Sequence, residues 1–294
     1  MTNNLIEVSS VTQGFIKDDG QNQKILDHVN FNVKDGEILA ILGKSGCGKS
    51  TLLRIIAGLV MPTRGKVKFN HKVNDKTFGI SMIFQTFALF PWLSVFENVE
   101  LGLEAMDIPE AVRRKKVLEA IDLIGLDGFE SAMPRELSGG MKQRVGFARA
   151  LVVEPKVMLM DEPFSALDIL TSDTLKNDFL DLWSAKRTAL KSVVIVTHSI
   201  EEAVMMADRV LILASNPGRI VSELKITLER PRNSQTTEFH SMVDQIYSKM
   251  AEAGKQISEE KTKKTREHEI TQHLIYTSPN QLAAITGGFD YVTL

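Results

Sequence analysis

The sequence predicts an α/β protein with a parallel sheet at its centre. Three observations carry this. Continuous apolar runs, ILAIL at 38–42, VMLMD at 157–161, VVIVT at 193–197 and VLILA at 210–214, read as strands buried on both faces. Helical stretches separate them, the alternation a parallel sheet needs. The first run leads directly into GKSGCGKS and then into TLLRIIAGL, a strand–loop–helix unit.

Taken in order, the residues up to about Ala40 alternate apolar and polar, with turn chemistry at DDGQN and KDGE, and read as short strands and hairpins. TRGKVKFN reads as a further edge strand. From about Phe87 to Val153 the period becomes helical, and EAVRRKKVLEAIDLIGL places a basic face outward, which suits solvent better than a ligand. Beyond Pro217 the chain is less periodic. EEKTKKTREHE reads as a charged helix or linker, and TSPNQLAAITGGFDYVTL carries no usable period. There is no internal repeat.

Composition bounds the function. With 294 residues, 43% hydrophobic and 24% charged, the chain suits one or two globular domains. A net charge of −2 gives no basic face for nucleic acid to bind in bulk. Cys47 is the single cysteine, so there is no internal disulfide and a reducing compartment is expected. The N-terminus has neither a basic nor an apolar region of the secretory kind, and the apolar runs are strand-sized, far short of the roughly 20 residues of a membrane span. A soluble, cytoplasmic chain is expected.

The chemistry concentrates in a few places. Gly43, Lys44, Ser45, Gly46, Cys47, Gly48, Lys49, Ser50 and Thr51 satisfy the phosphate-loop pattern. Its glycines let successive amides wrap an anion at a helix N-terminus, Lys49 meets the β- and γ-phosphates, and the Ser50 hydroxyl suits Mg²⁺. The loop predicts ATP and Mg²⁺ as ligands. Cys47, beside the helix start, is expected to have thiolate character. Asp161 and Glu162 end a buried strand, where ligands meet such sheets. Asp161 would hold the metal through water, and Glu162 would polarise the attacking water. A lone histidine such as His198 is ordinarily structural. At the same sheet edge as Asp161, it suits a γ-phosphate contact better. Gln85, after ISMIF, could reach the metal or the water, and its chemistry alone does not separate this from a structural amide.

A second anion-binding mouth follows at Ser138, Gly139 and Gly140, before the helix MKQRVGFARALV. A helical insert separates it from the first loop, so one nucleotide cannot easily use both within one chain. A head-to-tail pair of subunits, each closing its Ser-Gly-Gly over the partner's nucleotide, resolves the duplication.

LSGGMKQR together with GKSGCGKST, Gln85, VMLMDEP, SALD and His198 resembles the ATP-binding subunit of ABC transporters. The motifs fall in order over roughly residues 5–230. The resemblance implies a P-loop NTPase with a RecA-like core, an N-terminal antiparallel β subdomain and an inserted helical subdomain at about 87–153. Together these form a cassette over 1–230, followed by an extension over 231–294. It makes Gly43–Thr51 the Walker A loop, Gln85 the Q-loop glutamine, Ser138–Gly140 the signature, Asp161 the Walker B aspartate and Glu162 the catalytic base. Ser165–Asp168 match the D-loop, which puts Asp168 at the dimer interface, and His198 matches the switch histidine. Phe15 falls where the family stacks an aromatic on adenine, or it is a core residue of the antiparallel subdomain. Met141 stands where the family more often has Gln.

The resemblance also implies two membrane permease subunits, a second ATPase subunit and, indirectly, an extracytoplasmic binding protein, with this chain peripheral on the cytoplasmic face of the inner membrane. LFPWLSVFENVELGLE would form the groove for the permease, although its aromatics Phe90, Trp92 and Phe96 could also be core. That stretch, with KNDFLDLW, EEAVMMADRVLIL, SNPGRI and LERPR, is similar to importers of nitrate, sulfonates, taurine and bicarbonate. An ABC-type ATPase acting on nucleic acid or ribosomes, or the ATPase of an exporter, are the alternatives. A single cassette without long heptads or basic excess weighs against the first, and FPWLSVFENV and NPGRI against the second.

Overall fold

Two sheets divide the strands of the computed structural model, which describes residues 4–16, 20–70 and 79–254. The chain falls into two units, Met1–Tyr247 and Ser248–Leu294. The charged segment EEKTKKTREHE and the last stretch lie outside the described residues.

The first sheet has the order β2-β1-β4, all antiparallel, from β1 (Asn4–Ile16), β2 (Asn22–Lys34) and β4 (Arg64–Phe69). The second has the order β5-β6-β7-β3-β8-β9. Its strands β3 (Glu37–Leu42), β5 (Ile80–Ile83), β6 (Val157–Asp161), β7 (Ser192–Thr197) and β8 (Arg209–Ala214) run parallel, and β9 (Arg219–Lys225) pairs antiparallel at the edge. The four apolar runs form the fully buried interior of this sheet, as two-sided burial demands. The expected α/β class holds.

Three local expectations change. The N-terminal strands are long rather than short, at 13 residues each, and they bend through register shifts between Val8 and Gly14. KDGE closes no hairpin. The turn passes the chain from β2 to β3 in the other sheet, because EILAIL is apolar on both faces and belongs between two parallel neighbours. Residues 87–153 are also less continuously helical than their period suggests. They hold α2 (Val95–Glu104), α3 (Glu110–Leu123) and α4 (Gly139–Leu151), with a single 3₁₀ turn at Pro134–Glu136 between the last two. The strand β9 went unread, although RIVSELK alternates, with Ile220, Ser222 and Leu224 half-buried between exposed neighbours.

The rest of the helices are α1 (Lys49–Ile56), α5 (Ile169–Ser184), α6 (Ile200–Met206) and α7 (237–254). Phe147 of α4 packs on Phe179 of α5 and on Phe164, with ring centroids 5.5 and 6.1 Å apart. Such pairs each add about 0.5–1.5 kcal/mol to their burial. They hold α4 against the core. Arg209 is 5% exposed and binds Glu37 through both carboxylate oxygens, at 2.6 and 3.1 Å, as well as Glu223 and the Asn32 carbonyl. That fork ties four strands, β2, β3, β8 and β9, at one end. Among the described residues, no helix is long and apolar enough to cross a membrane.

Candidate active site

Parallel register delivers the carboxyl ends of β3, β5, β6 and β7 to one edge: Leu42 pairs with Thr197, Asp161 with Val196 and Ile83 with Met160. Gly43, Glu162 and His198 directly follow the ends of β3, β6 and β7, and Gln85 stands two residues beyond the end of β5. Ligands of open α/β sheets bind at this edge.

The loop after β3 wraps the start of α1. Gly48 sits at φ 101 as the N-cap, a conformation that a side chain would resist, and no side chain caps the helix. Free amides therefore surround its N-terminus. Lys44, Ser45 and Gly46 are exposed at the crest, with Ser50 and Thr51 half-buried behind them. Lys49 is 4% exposed and donates to the carbonyls of Gly43 at 2.9 Å and Lys44 at 3.3 Å.

Glu162 is the centre of the cluster. Its carboxylate lies 3.3 Å from Lys49 Nζ and 3.0 Å from His198 Nδ1, and Gln85 Nε2 donates to it at 3.4 Å. Its backbone is in the left-handed region at φ 47, a strain of order 1–3 kcal/mol that tertiary contacts must hold. Those contacts are its amide on Val196 O and the Ser165 hydroxyl on its carbonyl. One residue earlier, Asp161 accepts from the Ser50 hydroxyl at 2.7 Å. Burial raises the Asp161 pKa, against the Ser50 hydrogen bond that lowers it. Behind His198, burial pushes Glu202 up to about 7.

The second mouth is built differently. Ser138 caps α4 with its own hydroxyl, which accepts from Met141 N at 3.2 Å, while Ser138 and Gly139 stay exposed. Gly140 is buried, and a Cβ there would lie 2.4 Å from the Thr171 methyl. Asp168 caps α5 by accepting from Thr171 N, and hydrogen bonds from the Thr171 side chain and then its backbone lower the Asp168 pKa. Among the described residues, no hydrogen bond joins Ser138, Gly139, Gly140 or Asp168 to the phosphate loop. Phe15, near the end of β1, is 48% exposed, so it is not a core residue of the antiparallel sheet. Trp92 is largely exposed, at 68%, and Phe90 partly so, at 41%. Phe96 is half-buried beneath the Arg114 guanidinium.

One expectation is overturned. Cys47 is 1% exposed, and burial raises its thiol above the ordinary value despite Lys49 and nearby amides. It lines the loop through its backbone, and desolvation outweighs the helix terminus.

Several residues had no reading of their own. Gln143, next to last in LSGGMKQR, is 1% exposed and donates to the Pro163 carbonyl at 2.6 Å, tying α4 to the loop after Glu162. Asn98 is fully buried and bonds Phe90, Leu93 and Ser94, which fixes the loop displaying Phe90 and Trp92. Arg230 and Arg232 of LERPR cap α6, donating to the carbonyls of Val204, Met205, Met206 and Ala207. A buried amide in an otherwise apolar helical register was the one signal available for Gln143 and Asn98.

Comparison with known proteins agrees with this geometry. Residues 26–165 match the family model described as ABC transporter. An uncharacterized ABC transporter ATP-binding protein of Methanocaldococcus jannaschii is 46% identical over 80% of this chain and 86% of its own length. The nitrate import ATP-binding protein of Synechocystis is 40% identical, covering 83% of this chain and 94% of its own. The aliphatic sulfonates import ATP-binding protein of Bacillus subtilis is 41% identical, covering 83% and 93%. A dimeric ATP-binding cassette solved in a post-hydrolysis state with ADP and Pi superposes with a TM-score of 0.65 at 34% identity, over 76% of this chain and 100% of that one. The chain belongs to the ABC transporter ATP-binding family and is an ATP-hydrolysing cassette.

Proposed function

We propose that this cassette powers an importer of a small oxyanion, with nitrate, alkanesulfonates, taurine and bicarbonate as the candidate class. It works as a head-to-tail pair bound to two membrane permease subunits at the cytoplasmic face of the inner membrane, and a binding protein outside supplies the substrate. The relatives named for nitrate and sulfonate import support the substrate class. The exposed Phe90 and Trp92, on a loop held by buried Asn98, support a permease contact there. In this reading the cassette occupies 1–230, with its helical part at about 87–153, and 231–294 is an extension.

The observation that carries the hydrolytic assignment is the convergence of Lys49, His198 and Gln85 on Glu162. The loop amides and Lys49 hold the β- and γ-phosphates, and Phe15 lies open for the adenine. Glu162 takes the proton of the attacking water, while His198 and Gln85 orient water and γ-phosphate. Ser50, Asp161 and Gln85 offer the oxygen donors that Mg²⁺ prefers, and the 2.7 Å approach of Ser50 to Asp161 gathers two of them. Held by these residues, magnesium would neutralise charge on the phosphates. Ser138, Gly139, Gly140 and Asp168 act on the partner's nucleotide.

Glu162→Gln should bind ATP, pair stably and hydrolyse at least about 10²-fold more slowly. Rapid turnover by this variant removes Glu162 from its role. Gentle solubilisation of tagged chain from host membranes should bring down a multi-span permease; ribosomes or DNA-bound proteins instead would overturn the transport assignment.

A further inference from the structure

The turn after Gln85 is held from one side by an arginine that no carboxylate pairs with among the described residues. Arg149, in the last turn of α4, donates from Nη1 to the Ala88 carbonyl at 2.7 Å and from Nη2 to the Phe87 carbonyl at 3.3 Å. Ala88 is in the left-handed region at φ 49, which a non-glycine residue occupies only under constraint. Phe87 lies along α4. Its ring is 3.7 Å from where a Cβ on Gly139 would stand, and its carbonyl is 3.8 Å from one on Gly146. The guanidinium fork spans two adjacent carbonyls that a lysine could meet only one at a time. Desolvation disfavours its charge, so the carbonyls are its compensation.

We infer that Arg149 is a positioning residue for hydrolysis: it fixes the turn that carries Gln85 to the helix whose mouth is Ser138–Gly140. Gln143 fastens the same helix to Pro163, one residue after Glu162. A displacement of α4 is thus carried to Gln85 on one side and to the Glu162 loop on the other. The inference rests on the proposed place of Gln85 at the hydrolytic site.

Steady-state ATPase measurements on the full chain test it. Arg149→Met should lower kcat about tenfold or more, with KM for Mg-ATP within about twofold, because the catalytic groups are misplaced while the phosphate loop is intact. Arg149→Lys, which keeps the charge but not the fork, should fall between. Ala88→Gly added to Arg149→Met should return part of kcat, since glycine adopts the left-handed turn without being held there. Glu162→Gln/Arg149→Met should still pair on addition of ATP. A kcat within twofold of the parent, no relief by Ala88→Gly, or loss of ATP-dependent pairing would each overturn the inference, the last by placing the effect at the helix mouth. Undiminished kcat in Gln85→Ala would instead sink the reading of Gln85, whatever Arg149 does.

Discussion

The mouths of α1 and α4 look alike as sequence, each a glycine pair or triplet leading into a helix, yet they are finished in opposite ways. The α1 mouth has no side-chain cap and is walled by its own chain, with Lys49 buried behind it and Glu162, His198 and Gln85 in front. The α4 mouth is capped by its own Ser138 and stays exposed at Gly139, while Gly140 is pressed against Thr171. One is equipped for chemistry within the chain. The other offers amides and a helix dipole but no titratable group bonded to it among the described residues, which suits the proposed role of closing over a nucleotide held by a second copy. Similar local chemistry thus acquires two roles from what the fold stacks around it.

The strongest way to break this contrast is complementation. Lys49→Ala and Ser138→Arg should each lower hydrolysis about 10²-fold or more. Mixed in equal amounts they should recover activity, because a head-to-tail mixed pair keeps one site whole on both sides; a mixture as inactive as its components would mean that each chain completes its own site. A smaller effect separates packing from ligand approach at α4. Gly140→Ala should cost about 1–3 kcal/mol in a denaturant melt, from the methyl of Thr171, and Thr171→Ser should restore most of it. Unchanged stability in the single variant would show that the helix shifts freely there. The least perturbing test concerns the α1 mouth. Cys47 should react with a small thiol reagent at least about tenfold more slowly in the native protein than after unfolding, with or without Mg-ATP, since its thiol is buried and neutral. Fast native labelling blocked by nucleotide would restore the exposed thiolate.

Much of this site was legible because its parts are local patterns. A phosphate loop declares itself through glycine spacing and one lysine, and Asp161 and Glu162 through their place after an apolar strand. The expectation for Cys47 fails because the helix terminus is a local feature, whereas Cys47 belongs to a buried core cluster whose members, such as Leu26, Leu159 and Leu213, come from distant segments. Gln143, Asn98 and Arg149 went unread for a related reason: each serves a carbonyl in a loop whose position depends on packing. Gln143 is 20 residues from its acceptor and Arg149 is 61 residues from Ala88.

The sequence by itself determined the class of fold, the nucleotide loop and the strand ends that carry charge, since hydrophobic period and loop chemistry are properties of contiguous residues. Only the tertiary structure decided that β2 and β3 part company, that β9 closes the edge and that Glu162 gathers Lys49, Gln85 and His198. Those outcomes depend on which strand lies beside which. Strand order places residues from four separate segments within hydrogen-bonding distance, and no single stretch of the chain encodes that order.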